Sequence, residues 1–237
     1  MRKIKFLAMV ALLAVTTSAS AQFTNSTGGK SPSLSNVSNT DGWSTLWVEW
    51  NPSTLNYDGK AVDDIDFTGL SVGYSKAFSV VPSLFLEAGL GVQYSFYTND
   101  DDDNDWETKT NLISAKVPVN LMYAFQIPNS SVSLIPFVGA NLRFNISGTK
   151  KTKYVGEHDY WYDYWYDDDD ESLNLFDKKD MGSKNATWKR FQIGWQIGVK
   201  ARFGESFLLG VSYGSDLSEI VKKTKVSTTS ITLGYTF

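Results

Sequence analysis

The sequence predicts an all-β chain: an eight-stranded antiparallel up-and-down transmembrane β-barrel, with short periplasmic turns and long extracellular loops. Three observations carry this reading. Apolar residues recur with a period of two along eight segments. The connections between those segments alternate short and long. The glycines within the segments all fall on the polar parity.

The N-terminus comes first. Arg2, Lys3 and Lys5 precede the apolar run Phe6–Val15, and Ala19 and Ala21 stand in a small-residue cleavage pattern before Gln22. This predicts a secretory signal peptide over 1–21, since the run is too short for a spanning helix. Residues 22–42 are rich in Ser, Thr, Asn and Gly without periodicity, and read as a flexible periplasmic lead-in. The barrel domain takes up 43–237.

The strands are read over 43–51, 67–77, 84–97, 111–125, 133–147, 188–203, 207–215 and 226–237. The third shows the pattern: Leu84, Leu86, Ala88, Leu90, Val92, Tyr94 and Phe96 share one parity, against Phe85, Glu87, Gly89, Gly91, Gln93 and Ser95 on the other. A strand with one apolar and one polar face reads this way, whereas helical spacing mixes the two sets. The first strand puts Leu46, Val48 and Trp50 on the apolar face, with Trp47 and Glu49 opposite. Several segments reach the ~9–11 residues that a tilted transmembrane strand needs. The connections after the second, fourth and sixth strands (78–83, 126–132, 204–206) are short. The others (52–66, 98–110, 148–187, 216–225) are longer. That sorting is the habit of an outer-membrane barrel with both termini on the periplasmic side.

Of the 18 glycines, Gly69, Gly73, Gly89, Gly91, Gly139, Gly194, Gly198, Gly210, Gly214 and Gly234 lie in these strands, all on the polar parity. In a membrane barrel the apolar parity meets lipid, so small residues line the interior and leave room for long charged ones. The charges on that parity are Glu49, Glu87, Lys116, Arg143, Arg190, Lys200 and Arg202. They predict a salt-bridged plug in a lumen just wide enough to be filled by side chains. Phe125, Phe203, Tyr235 and Phe237 are expected in a periplasmic aromatic girdle, and Tyr94, Phe96, Phe144 and Phe191 in an outer one.

Composition narrows the function. A net charge of -4 and a pI near 5.1 argue against nucleic acid as a partner. The absence of cysteine removes disulfides, zinc–thiolate sites and a lipidated N-terminal cysteine. One histidine, His158, beside Asp159, makes a hydrolase triad hard to assemble. Mean hydropathy is -0.24, the average of a lipid face, a polar interior and polar loops.

The last strand, Ser230-Ile231-Thr232-Leu233-Gly234-Tyr235-Thr236-Phe237, resembles the C-terminal signal of outer-membrane barrels, with Tyr235 and Phe237 in the signal positions. Lys116-Val117-Pro118-Val119-Asn120-Leu121-Met122-Tyr123 and Pro136-Phe137-Val138-Gly139-Ala140-Asn141-Leu142 resemble strands of the porin-like outer-membrane β-barrel domain family common in Bacteroidetes-type bacteria. The resemblance spans about 43–237. It implies export to a Gram-negative outer membrane and recognition of the last strand by the barrel-assembly machinery. It brings no catalytic motif.

Function is then expected in the loops. Asp100 to Asp103 and Asp105 form one acidic run. Tyr160, Trp161, Tyr162, Tyr164, Trp165 and Tyr166, interrupted by Asp163 and followed by Asp167–Asp170 and Glu171, form an aromatic-acidic run. An apolar patch of this kind marks a contact site for a surface ligand, and its period of two also fits a hairpin extension. Asp100, Asp102, Asp168 and Asp170 are weak candidates for Ca²⁺, without the spacing of a calcium loop. No cofactor is expected. The partners expected are outer-membrane lipid and lipopolysaccharide, the assembly machinery and an unidentified surface ligand. The reading is a non-enzymatic surface barrel for structure, adhesion or ligand contact. A small channel for polar solutes is the alternative, and a barrel lipid hydrolase is a third.

Overall fold

The computed structural model describes residues 42–57, 65–100, 106–154, 171–181 and 187–237. The expected signal peptide, all of the lead-in but Gly42, His158 and the run Tyr160–Asp170 lie outside them. The strands are β1 (Trp43–Trp50), β2 (Ser53–Tyr57), β3 (Ile65–Val81), β4 (Leu84–Asp100), β5 (Trp106–Tyr123), β6 (Phe125–Gln126), β7 (Val132–Tyr154), β8 (Glu171–Asn174), β9 (Phe191–Phe203), β10 (Phe207–Asp216) and β11 (Thr224–Thr236). A single helical turn, α1 (Lys178–Met181), follows β8.

Neighbouring strands are antiparallel in the order β1-β11-β10-β9-β7-β5-β4-β3, and β1 pairs back on β3, so the sheet closes. β1 and β2 are two lengths of one stave, since both pair with β11 and with β3. Pro52 interrupts them because it has no N–H to give the ladder. The register nevertheless runs through. The Asn51 N–H donates to the Gly69 carbonyl at 2.7 Å, and the Thr229 N–H donates to the Pro52 carbonyl at 2.9 Å. β6 continues β5 alongside β7. The ring therefore has eight staves: β1/β2, β3, β4, β5/β6, β7, β9, β10 and β11.

The three short turns share a device. Ser83, Asn129 and Gly204 have φ of 67°, 58° and 61°, so each turn reverses through one left-handed residue. Asn and Gly adopt that region readily; Ser83 is the costlier choice.

The strands run further at the loop end than the apolar pattern predicts. Residues 53–57, 65–66, 98–100, 106–110 and 148–154 are strand, and β8 folds back to pair with Thr149–Thr152 of β7. The outward residues there, such as Thr98, Lys109 and Lys151, are polar, so hydrophobic alternation fades while the backbone ladder continues. A bulge between Ile113 and Ser114 of β5, opposite Ser147 and Asn145, absorbs one extra residue of β7.

Burial separates the two faces. Leu90, Val72 and Leu233 are 63%, 59% and 58% exposed on the outward face, with Leu46, Val48, Leu70, Val92 and Ile197 also exposed. A band this continuous far exceeds the few hundred Å² of apolar surface that a water-facing protein tolerates. Aromatics rim it. At the turn end Tyr235 stacks on Phe237 at 6.2 Å and meets Phe207 at 6.4 Å, and Tyr123 packs on Phe125 at 4.5 Å. At the loop end Tyr94 stacks on Phe96 at 5.9 Å. Among the described residues no helix is long and apolar enough to cross a membrane.

Candidate functional site

The interior is built in layers along the barrel axis. At the turn end Trp43, Ala77, Phe85, Met122, Ile135 and Phe137 form an apolar cluster, with the Trp43 and Phe85 rings 4.6 Å apart. The buried guanidinium of Arg202 lies 4.5 Å from the Trp43 ring, a cation–π contact.

Next come the charges. The Glu87 carboxylate receives Lys200 Nζ at 2.7 and 2.6 Å, Ser75 Oγ at 2.9 Å and Asn120 Nδ2 at 2.7 Å. Asn120 in turn accepts from Gln196 Nε2 at 2.6 Å. Lys116 pairs with Glu49, which also accepts from Thr232 Oγ1 at 3.1 Å and Asn51 Nδ2 at 3.3 Å. The glycine parity finds its reason here. A Cβ on Gly73 or Gly91 would sit 2.3 or 2.4 Å from the ring carbons of Trp47, so the indole takes up the space that a side chain there would need. Lys116 Nζ is 5.7 Å from that ring.

Towards the loop end Asn51, fully buried, donates to Ser230 Oγ at 2.8 Å and accepts from Ser71. Arg143 pairs with Asp216, which also accepts from Gln192 Nε2 at 3.0 Å. Asn145 accepts from Ser114 Oγ at 2.7 Å and donates to Gln192 at 3.2 Å and to the Lys189 carbonyl at 2.9 Å. At the loop end lies a second apolar cluster of Leu55, Phe67, Leu112, Ile220 and Val226, with Phe176 and Trp188 packed against it. The segment after β8 is tied down there. The Leu175 N–H donates to the Gly148 carbonyl, and the Trp188 N–H to the Leu175 carbonyl, each at 3.0 Å. Two cavities of about 20 Å³ lie between the polar layers, each room for about one water.

Glu49, Glu87, Lys116, Arg143, Lys200 and Arg202 thus all take the inward face, but in separate contacts: Glu49 with Lys116, Glu87 with Lys200, Arg143 with Asp216, and Arg202 against Trp43. Arg190 does not. It precedes β9 and is exposed, donating to the Asn145 and Ile146 carbonyls at 3.1 and 2.8 Å, with its guanidinium 4.5 Å from the Phe176 ring. Its parity is that of Gln192, but the stave has ended. Asp216 is the residue that sequence reasoning missed, having been assigned to a loop. Its signal is parity: Asp216 continues the inward series Leu208, Gly210, Ser212, Gly214. The apolar inward residues at both ends also depart from a wholly polar interior parity. Tyr235 and Phe237 face outward at the turn end. Asp100 is the last residue of β4; Asp102, Asp168, Asp170 and the six loop aromatics lie outside the described residues.

The family comparison agrees with this architecture. A family model described as outer membrane protein beta-barrel domain matches residues 6–237. No curated protein matches the chain. Similar solved structures include Ail, the attachment invasion locus protein of Yersinia pestis, in complex with the heparin analogue sucrose octasulfate. It is 16% identical, covering 83% of this chain and 99% of that one, with a TM-score of 0.44. Neisserial surface protein A is 15% identical, covering 82% and 97%, with a TM-score of 0.43. The outer membrane protein OprG of Pseudomonas aeruginosa is 13% identical, covering 84% and 97%, with a TM-score of 0.37. On the family match and the closed, apolar-belted sheet, the chain belongs to the outer membrane protein beta-barrel domain family and is an outer-membrane β-barrel of a Gram-negative bacterium.

Proposed function

We propose that this barrel is a non-enzymatic scaffold with a closed lumen, and that its extracellular loops make the functional contacts. One observation carries the proposal: the buried ion pairs Glu87–Lys200 and Asp216–Arg143, with Lys116 paired to a half-buried Glu49, lie between apolar clusters at both ends. A polar solute entering would have to part buried charges, which is costly because each partner is left uncompensated. The chemistry left for a partner is on the rim. There the run from Tyr160 to Glu171 offers stacking faces and carboxylates to a sugar, a protein or the outer leaflet. Tyr235 and Phe237 are proposed as the contact for the assembly machinery, and lipopolysaccharide as the lipid around the loops.

The experiment replaces Tyr160–Glu171 with a Gly/Ser linker and measures adhesion of intact cells to immobilised glycans and matrix proteins. Adhesion is expected to fall while heat-modifiable gel migration, the sign of a folded barrel, is unchanged. Equal adhesion by both forms refutes the reading. The second reading, a small channel for polar solutes, draws on the same lumen charges; it requires conductance that changes in Arg143→Ala or Lys116→Ala.

A further inference from the structure

We propose that the outer wall formed by β11, β1, β3 and β4 binds one glycerophospholipid of the inner leaflet, its phosphate at Lys76 and an acyl chain in a groove higher on the same wall. The starting point is a charge on the apolar face. Lys76 sits on the outward parity of β3 between Tyr74 and Phe78, which are 42% and 48% exposed. A lysine on the lipid face costs about 2–4 kcal/mol at the midplane and little near the interface. Lys76 makes no ion pair among the described residues. Its Nζ is 5.7 Å from the centroid of the Phe78 ring, so the side chain runs toward the turn end, which is the periplasmic side.

Its neighbours supply hydroxyls. Register places Ser44 of β1 opposite Lys76, and Ser44 Oγ and Tyr74 OH share a hydrogen bond of 2.9 Å on the same outward face. An ammonium and two hydroxyls beside an aromatic rim suit a phosphate diester.

An independent feature lies on the same wall. A groove of about 520 Å³ is lined by Val48, Trp50, Leu70, Val72, Tyr94 and Leu233. Register explains it. Val48, Val72 and Val92 form one row of short side chains, and Trp50, Leu70 and Tyr94 form the taller row beyond it. Along β3 the near row of the groove, at Val72, is about 13 Å from Lys76 at ~3.3 Å per residue, which is about 10 Å of depth on a stave tilted by about 40°. That lies within one leaflet, half of a hydrocarbon core about 30 Å thick. The periplasmic position of Lys76 selects an inner-leaflet lipid, because the phosphates of an outer-leaflet lipid lie at the other end of the staves.

The test is native mass spectrometry of the purified full chain after equilibration with mixed detergent micelles holding equimolar phosphatidylglycerol and lipid A. The wild type is expected to retain one lipid through detergent exchange, and Lys76→Arg likewise. Lys76→Gln should retain about five-fold less, the weight of one lysine at an anionic headgroup. Val72→Phe, which fills the groove and leaves Lys76 in place, should also retain less. Heat-modifiable migration verifies that all four are folded. The proposal is overturned if Lys76→Gln or Val72→Phe retains as much lipid as the wild type, which is annular lipid only. It is equally overturned if lipid A is retained in preference to phosphatidylglycerol.

Discussion

Glu87 is the most deeply buried charge among the described residues, and its removal tests the interior account most sharply. It is 2% exposed and holds Lys200, Ser75 and Asn120 at once. Glu87→Leu removes the acceptor for all three and leaves the Lys200 ammonium buried beside the Phe137 ring, 5.1 Å away. Breaking one side of a buried pair costs about 3–5 kcal/mol, whereas replacing both sides by apolar groups is often near neutral. Glu87→Leu and Lys200→Met should therefore each lower unfolding stability by about 3–5 kcal/mol. The double variant should lose far less than the sum, giving a coupling of several kcal/mol. The assay is reversible urea unfolding in phospholipid vesicles followed by tryptophan fluorescence. Losses that add to within about 0.5 kcal/mol would mean that the two residues act independently, and the ion-pair account would be wrong.

Three further outcomes follow from the same geometry. Gly91→Val should destabilise the barrel by about 1–3 kcal/mol through overpacking against Trp47, and a Trp47→Ala background should relieve only part of that loss, because the Val72 carbonyl oxygen, 2.7 Å from the added Cβ, stays in place; urea unfolding reads both. Asn51→Ala leaves Ser71 and Ser230 without their buried partner and should cost about 1–3 kcal/mol in the same assay. Leu175→Asp should loosen the packing at the loop end, so that amide exchange accelerates at Leu175 and Trp188 while the staves around Glu87 stay protected.

The staves were legible because lipid and lumen impose opposite demands on alternate residues. Leu84 to Phe96 cannot satisfy both with any other period. The extensions were less legible. Beyond the hydrocarbon, outward positions such as Lys109 and Lys151 meet water or headgroups, so the apolar signal stops although the ladder continues. Asp216 and Arg190 show the same limit from opposite sides. Parity fixes which face a residue takes, but only while the stave lasts, and β10 reaches Asp216 whereas β9 begins after Arg190. The apolar clusters at the ends were hidden for another reason. Phe85 and Phe137 lie on the polar parity, and only the closure of the sheet brings them together with Trp43 and Met122. Which acid meets which base is likewise a product of register around the ring. Lys200 and Glu87 are far apart in sequence and on staves that do not pair.

The central claim is that the lumen is closed. Single-channel recording of the purified full chain in a planar bilayer tests it most directly. The account predicts a current that stays at baseline, unchanged by Arg143→Ala. Stable, long-lived conductance steps in the wild type, altered in size by Arg143→Ala or Lys116→Ala, would contradict it and favour the channel.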